Sequence, residues 1–182
     1  KGVDMNLTAN WDGTVDSYQW SDDGQKVYFI AAIDGTKQLF EVNFPGMTRI
    51  AINVQQITKG NFDVNGIVGF SGSKVIVTRG DMNHAAEIYS YDLKKKDWKQ
   101  ISNINTEDYK SLALSKTERR YVTTTDGKKM LVWVILPPNF DPAKKYPTLL
   151  YCQGGPQSAL TQSYSFRWNF QLMSANGYIV VA

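Results

Sequence analysis

The chain has 182 residues, 42% hydrophobic and 13% aromatic, which is enough apolar material for a packed core and too much for a disordered segment. Lys and Arg number 20 against 17 Asp and Glu, and the resulting net charge of +3 gives no electrostatic reason to expect nucleic acid or an acidic partner. One cysteine, Cys152, and one histidine, His84, exclude an internal disulfide and a multi-cysteine zinc site, and apolar runs such as Leu131 to Leu136 fall far short of the ~18 residues of a membrane span. The opening Lys1-Gly-Val-Asp4 has no signal-peptide character and reads as mid-protein sequence, so an internal piece of a longer polypeptide is expected.

Residues 1–115 read as all-β. Ser17-Tyr-Gln-Trp20 alternates, and Ser21-Asp-Asp-Gly24 supplies a turn. Lys26-Val-Tyr-Phe-Ile-Ala-Ala-Ile33 is a strong strand ended by Asp34-Gly35; Gln38 to Asn43 and Ile52 to Thr58 follow. Asp-Gly pairs at 12–13, 23–24, 34–35 and 126–127 offer the positive φ angles that tight hairpins need. Turns about ten residues apart describe a meander of four short antiparallel strands.

The pattern then returns. Ile67 to Phe70, Lys74 to Thr78, Glu87 to Leu93 and Lys99 to Ser102 repeat the order of the first four segments, with Phe70 standing 50 positions after Trp20 and Ile101 standing 44 after Ile57. Four strands per unit at a period of ~40–50 residues is the mark of propeller blades. Two unrelated meanders in a sandwich is the competing reading. Two blades cannot close a ring, so the tail of a propeller is expected.

After about Ser115 the composition shifts. Arg120 to Thr125, the Asp126-Gly127 turn and Met130 to Leu136 make a long hairpin, which Pro137-Pro138 ends because proline cannot donate to a ladder. Thr148-Leu-Leu-Tyr151 is a short apolar strand running into Cys152-Gln153-Gly154-Gly155-Pro156. Phe166 to Gly177 reads as a helix with a glycine stop, and Tyr178 to Ala182 as a second buried strand. That final strand is expected to present an exposed apolar edge and to make an isolated piece of this length poorly soluble. An antiparallel pair followed by strand, Gly-Gly loop, helix and strand fits the start of an α/β-hydrolase sheet. There the loop after the third strand carries oxyanion-hole donors.

Taken together, the two repeats, Tyr121-Val-Thr-Thr-Thr-Asp-Gly127, Ile135-Leu-Pro-Pro-Asn-Phe-Asp141, Lys144-Lys-Tyr-Pro147 and Gly154-Gly-Pro156 resemble the prolyl oligopeptidase family of serine peptidases. Within it the chain is most similar to the bacterial dipeptidyl-peptidase 5 and acylaminoacyl-peptidase type, through Tyr151-Cys-Gln-Gly-Gly-Pro-Gln157 and Phe166 to Met173. The resemblance implies a mixed fold: 1–115 as the last two blades of a β-propeller, and 116–182 as the truncated beginning of an α/β-hydrolase catalytic domain. It further implies peptide substrates reached through a cavity between the domains, release of N-terminal dipeptides, a homodimer of the parent enzyme, no cofactor, and an exported, periplasmic location.

The Ser, Asp and His of the triad are expected beyond Ala182. No Gly-x-Ser-x-Gly occurs, the nearest miss being Gly69-Phe-Ser-Gly-Ser73, and His84 lies far upstream of the place for a base. Gln153 and Gly154 are the oxyanion-hole candidates. Gln153 stands where the family carries an oxyanion-stabilising Tyr, or a His in an HGG-type loop; Gln is neither, so its side-chain amide competes for the role with the backbone N–H groups of Gln153 and Gly154. Otherwise these glycines serve only a tight turn.

The remaining chemistry-bearing residues have plainer readings. His84 reads as a turn residue, Cys152 as a small packed apolar residue, and Trp133, Trp168 and Phe170 as core; Arg167 reads as a helix-surface residue and Lys94-Lys-Lys96 as a solvated turn. Glu41, Glu87, Glu107 and Glu118 form no paired acidic motif for gripping a peptide N-terminus. Two other functions stay open: a non-catalytic β-propeller binding module, and an esterase-type α/β-hydrolase with a β accessory domain.

Overall fold

The computed structural model describes residues 4–46, 52–155 and 158–182; Pro156 lies outside them. Three four-stranded sheets account for its architecture. The first is an antiparallel meander of β1 (Val15–Trp20), β2 (Lys26–Ile33), β3 (Thr36–Asn43) and β4 (Val54–Gln56). The second repeats it with β5 (Asp63–Ser71), β6 (Lys74–Asp81), β7 (His84–Asp92) and β8 (Asp97–Gln100). A short helix α1 (Thr106–Lys110), which the sequence patterns did not announce, leads to β9 (Lys116–Thr123) and β10 (Lys129–Leu136). The third sheet adds β11 (Thr148–Leu150) and, beyond helix α2 (Phe170–Ala175), β12 (Ile179–Val181), in the order β11-β12-β10-β9.

The turns follow from residue chemistry. Asp34 and Gly35 both take positive φ (48° and 70°), the type I′ pattern, and set the register Ile33 against Thr36. Gly24 and Gly127 supply the same left-handed positions at two further hairpins, whereas Gly13 does not, and Asp12-Gly13 precedes the first strand instead of joining two. The Lys94-Lys-Lys96 turn is exposed, as a like-charge run should be.

Why β2 is apolar along its whole length is plain from its two faces. Val27, Phe29 and Ala31 pack with Phe40, Val42 and Trp11, while Tyr28 and Ile30 point the other way against Val64, Val75, Val77 and Tyr91 of the second sheet. The two meanders therefore stack face to face, each burying what the other exposes. β10 is built alike, with Trp133 and Ile135 on one face and Val132, Val134 and Leu136 on the other.

The third sheet departs from the sequence expectations in three places. β11 is an exposed edge strand, Leu150 being 73% accessible, because among the described residues its only partner is β12 on one side. β12 is not an edge; it lies between β11 (parallel) and β10 (antiparallel), with Val180 fully buried. The helix begins only at Phe170, since the Asn169 side chain accepts from Leu172 N–H (3.1 Å) and caps it there, leaving Phe166 and Arg167 exposed ahead of it and Trp168 48% exposed. Gly177, at φ 85°, stops it as expected.

Contacts between the second and third sheets centre on the β6–β7 hairpin tip. Met82 is buried among Trp133, Ile135, Phe170 and Val180, and its N–H donates to Gln162 Oε1 (3.1 Å). Beside it Asn83 Nδ2 donates to the Ser115 carbonyl (2.9 Å), Ser115 N–H donates to Gln171 Oε1 (3.1 Å), and the Ser115 and Ser174 hydroxyls bond to each other. Asp63, fully buried at the start of β5, accepts from Lys37 N–H (2.8 Å), the Thr161 hydroxyl (2.6 Å) and Gln162 N–H (3.1 Å). One carboxylate thus ties all three parts of the chain together. Burial pushes its pKa up, and those three donors hold it back only in part.

Candidate functional site

The loop at the end of β11 is the place to which the sequence directs attention. Tyr151 N–H still donates to the Val181 carbonyl (2.8 Å), and its ring packs edge-on against Phe170 (5.0 Å). Beyond that the ladder ends. Cys152 is exposed rather than packed, because the strand has already left the sheet at that point. Gln153, Gly154 and Gly155 are exposed as well, and Gly155 takes φ 87°, a conformation that favours glycine.

Ser158 pins the turn: its hydroxyl lies 3.0 Å from the Gly154 carbonyl and 3.3 Å from that of Gly155, and Gln153 Nε2 reaches it at 3.5 Å. The N–H groups of Gln153 and Gly154 make no hydrogen bond among the described residues. An added Cβ at Gly154 would meet nothing within 4 Å. The loop thus presents two adjacent backbone donors and one amide side chain, able to meet a developing negative charge. It contains no base.

His84 is elsewhere, at the start of β7. Its Nδ1 lies 2.9 Å from Asp81 Oδ1, and its ring stands edge-on to Tyr109 at 4.8 Å. The Asp81 hydrogen bond raises its pKa against the opposing effect of burial. No serine hydroxyl is bonded to it among the described residues, so the pair shapes the hairpin tip. The four glutamates also have local partners: Glu41 pairs with Lys26, Glu107 with Lys110, Glu118 with Lys116 and Arg120, and Glu87 with the Ser102 hydroxyl. Among the described residues no three His, Cys, Asp or Glu side chains gather as a metal site, and no helix is long and apolar enough to cross a membrane.

Sequence reasoning missed Asp63 and Met82. A buried aspartate at a strand start and a methionine at a hairpin tip look like ordinary loop residues; only their distant partners distinguish them.

Two stacked antiparallel meanders followed by a mixed sheet define a class that the comparisons resolve. Residues 6–131 match the family model for the dipeptidyl peptidase IV (DPP IV) N-terminal region. The chain belongs to the prolyl oligopeptidase family of serine peptidases. It is 40% identical to dipeptidyl-peptidase 5 of Porphyromonas endodontalis over 157 residues, covering 85% of this chain and 22% of that protein. To dipeptidyl-peptidase 5 of Porphyromonas gingivalis it is 36% identical over 183 aligned positions, covering 100% of this chain and 26% of that protein. In fold it is similar to the Pyrococcus horikoshii acylaminoacyl peptidase, with a TM-score of 0.75 at 21% identity, over 96% of this chain and 25% of that one. The chain spans about a quarter of the length of these relatives.

Proposed function

We propose that this chain is a segment of a serine peptidase that releases dipeptides from peptide N-termini by acyl transfer. In this reading residues 1–115 are two propeller blades, and residues 116–182 open an α/β-hydrolase domain whose Ser, Asp and His are carried by polypeptide beyond Ala182. The observation that supports it most is the third sheet. β11 and β12 are parallel and joined through α2, β10 is antiparallel to β12, and the Gln153-Gly154-Gly155 loop leaves the end of β11. A propeller blade has no use for a parallel crossover, and the loop after such a strand is where α/β-hydrolases keep an oxyanion donor. The names of the relatives point to dipeptides as products.

We assign the donor role to the backbone, a reading that the loop geometry supports. Gln153 Nε2 is directed to Ser158, whereas the N–H groups of Gln153 and Gly154 are free among the described residues. A missing oxyanion donor costs about 10²–10³ in kcat. In the full polypeptide, Gly154→Pro, which deletes one N–H, is expected to lower kcat by about that factor with little change in KM, while Gln153→Ala changes it less than about fivefold. A larger loss for Gln153→Ala than for Gly154→Pro would move the role to the side chain. Fluorophosphonate labelling tests the wider reading: a labelled serine C-terminal to Ala182 is expected, and no label on the active protein would overturn it. Elution of that protein as a dimer would bear on the assembly the resemblance implies.

A further inference from the structure

Among the described residues Arg79 is the one cation set within 5 Å of three aromatic rings. It lies on β6, on the same face as the buried Val75 and Val77, where an apolar residue would continue the stripe. Its guanidinium instead sits among three rings, 3.7 Å from the centroid of Phe62, 4.8 Å from Tyr89 and 4.9 Å from Trp98. Such contacts favour the cation but leave its in-plane N–H donors unused. None of those donors makes a hydrogen bond or ion pair among the described residues.

A carboxylate stands directly across the ladder and does not take the place. Glu87 is the register partner of Arg79, yet it accepts from the Ser102 hydroxyl and from Asn105 N–H (3.1 Å). Asp81 is equally engaged, by Asn83 N–H (2.8 Å), His84 N–H (2.9 Å) and His84 Nδ1 (2.9 Å). Burial lowers the Arg79 pKa from its ordinary value, opposed in part by Tyr89 and Asp81. Arg79 borders a cavity of about 350 Å³ that Asp81 and Glu87 also line, each held by the partners just named, together with His84, Tyr89 and Tyr109. The Arg79 donors open onto that cavity, and a planar guanidinium fork is matched best by the two oxygens of a carboxylate.

We propose that the cavity between β6, β7 and α1 is a carboxylate-binding site, in which Arg79, held flat by Phe62, Tyr89 and Trp98, makes a two-pronged hydrogen bond to the anion. The anion can belong to a free small acid or to a peptide C-terminus; the test separates the two. Nothing in the proposal depends on the oxyanion loop or on the peptidase reading.

The test uses the full polypeptide, pretreated with fluorophosphonate so that no peptide is cleaved, with glutarate, its uncharged counterpart glutaramide, triglycine, and triglycine amide as probes. Phenylglyoxal modification of Arg79, followed by mapping the modified peptide, needs no variant. Glutarate is expected to slow it at least fivefold and glutaramide not at all. Protection by triglycine but not by its amide would place a peptide C-terminus in the site, and protection by glutarate alone a free acid. Calorimetric titration is expected to show at least tenfold weaker binding of the protecting probe to Arg79→Lys, which keeps the charge and loses the fork. Equal modification rates with and without both carboxylates would overturn the proposal. So would an Arg79 that never reacts because another part of the polypeptide covers it, or undiminished binding to a folded Arg79→Lys.

Discussion

β2 and β11 are both short apolar strands, and they live in opposite surroundings. Val27 to Ala31 are buried on both faces, with neighbours on both edges; Thr148, Leu149 and Leu150 of β11 are exposed and paired on one edge only. The difference teaches that an apolar run reports what a strand packs against in the protein as a whole. For β2 that packing comes from the two stacked meanders and from Trp11 ahead of them. In the proposed reading, β11 is apolar because further strands of a hydrolase sheet add beside it.

The largest expected contrast is between truncations of these two strands. Phe29, 1% exposed and stacked on Phe40 at 5.4 Å, should lose about 3–5 kcal/mol on replacement by alanine, measured by denaturant unfolding. Leu150→Ala should stay within about 0.5 kcal/mol if its surface is as open in the whole protein as here. A loss of 2 kcal/mol or more at Leu150 would show that the remainder of the polypeptide covers it, and would support the hydrolase reading.

The joint between the two kinds of sheet comes next. Asp63→Ala leaves the N–H groups of Lys37 and Gln162 and the Thr161 hydroxyl without their acceptor, for a loss of about 3 kcal/mol, whereas Asp63→Asn keeps one acceptor oxygen and should lose about 1 kcal/mol. The sign of the pH dependence follows from burial, which raises the Asp63 pKa above that of the unfolded chain. The folded state then holds this proton more firmly than the unfolded state does. The contribution is fully present below the ordinary aspartate pKa, falls as pH climbs through the raised value, and is constant above it. Unfolding curves collected across that window should show the slope in the parent and lack it in Asp63→Asn.

A smaller effect separates two glycines of the first sheet. Both Gly24 and Gly35 have positive φ, so alanine costs about 1 kcal/mol at either from the backbone alone. At Gly35 an added Cβ would also stand 2.9 Å from Leu131 and 2.9 Å from Trp133 of the third sheet, whereas at Gly24 it would meet nothing. Gly35→Ala should therefore exceed Gly24→Ala by about 1–3 kcal/mol in chemical denaturation. Equal losses would mean that the first and third sheets are not tightly joined there.

Much of this fold was legible where local chemistry decides it. Lys26–Ile33 and Lys129–Leu136 announced themselves because both faces of each strand are covered, and Asp34-Gly35 fixed a hairpin by its positive φ alone. What was not legible depends on partners distant in sequence. The aromatic run before α2 looked helical, and only the capping side chain of Asn169 shows where the helix begins. Cys152 and Trp168 carry core-like side chains in exposed places, which periodicity cannot reveal. The Gln153-Gly154 loop was visible as a motif, but its pinning by Ser158 belongs to three dimensions. Arg79 gave no sign at all, since its three rings come from 62, 89 and 98.

The Met82-Asn83 tip also bears on how the second sheet can vary in length. Its two ends are not equivalent. At the end carrying Lys94 to Lys96 the chain turns in open solvent, so extra residues there would displace only water. At the other end, a single inserted residue would pull Met82 out from between Trp133 and Phe170 and move Asn83 away from Ser115. The hairpin is keyed at one end and free at the other, and lineages that lengthen this sheet should do so at the lysine end.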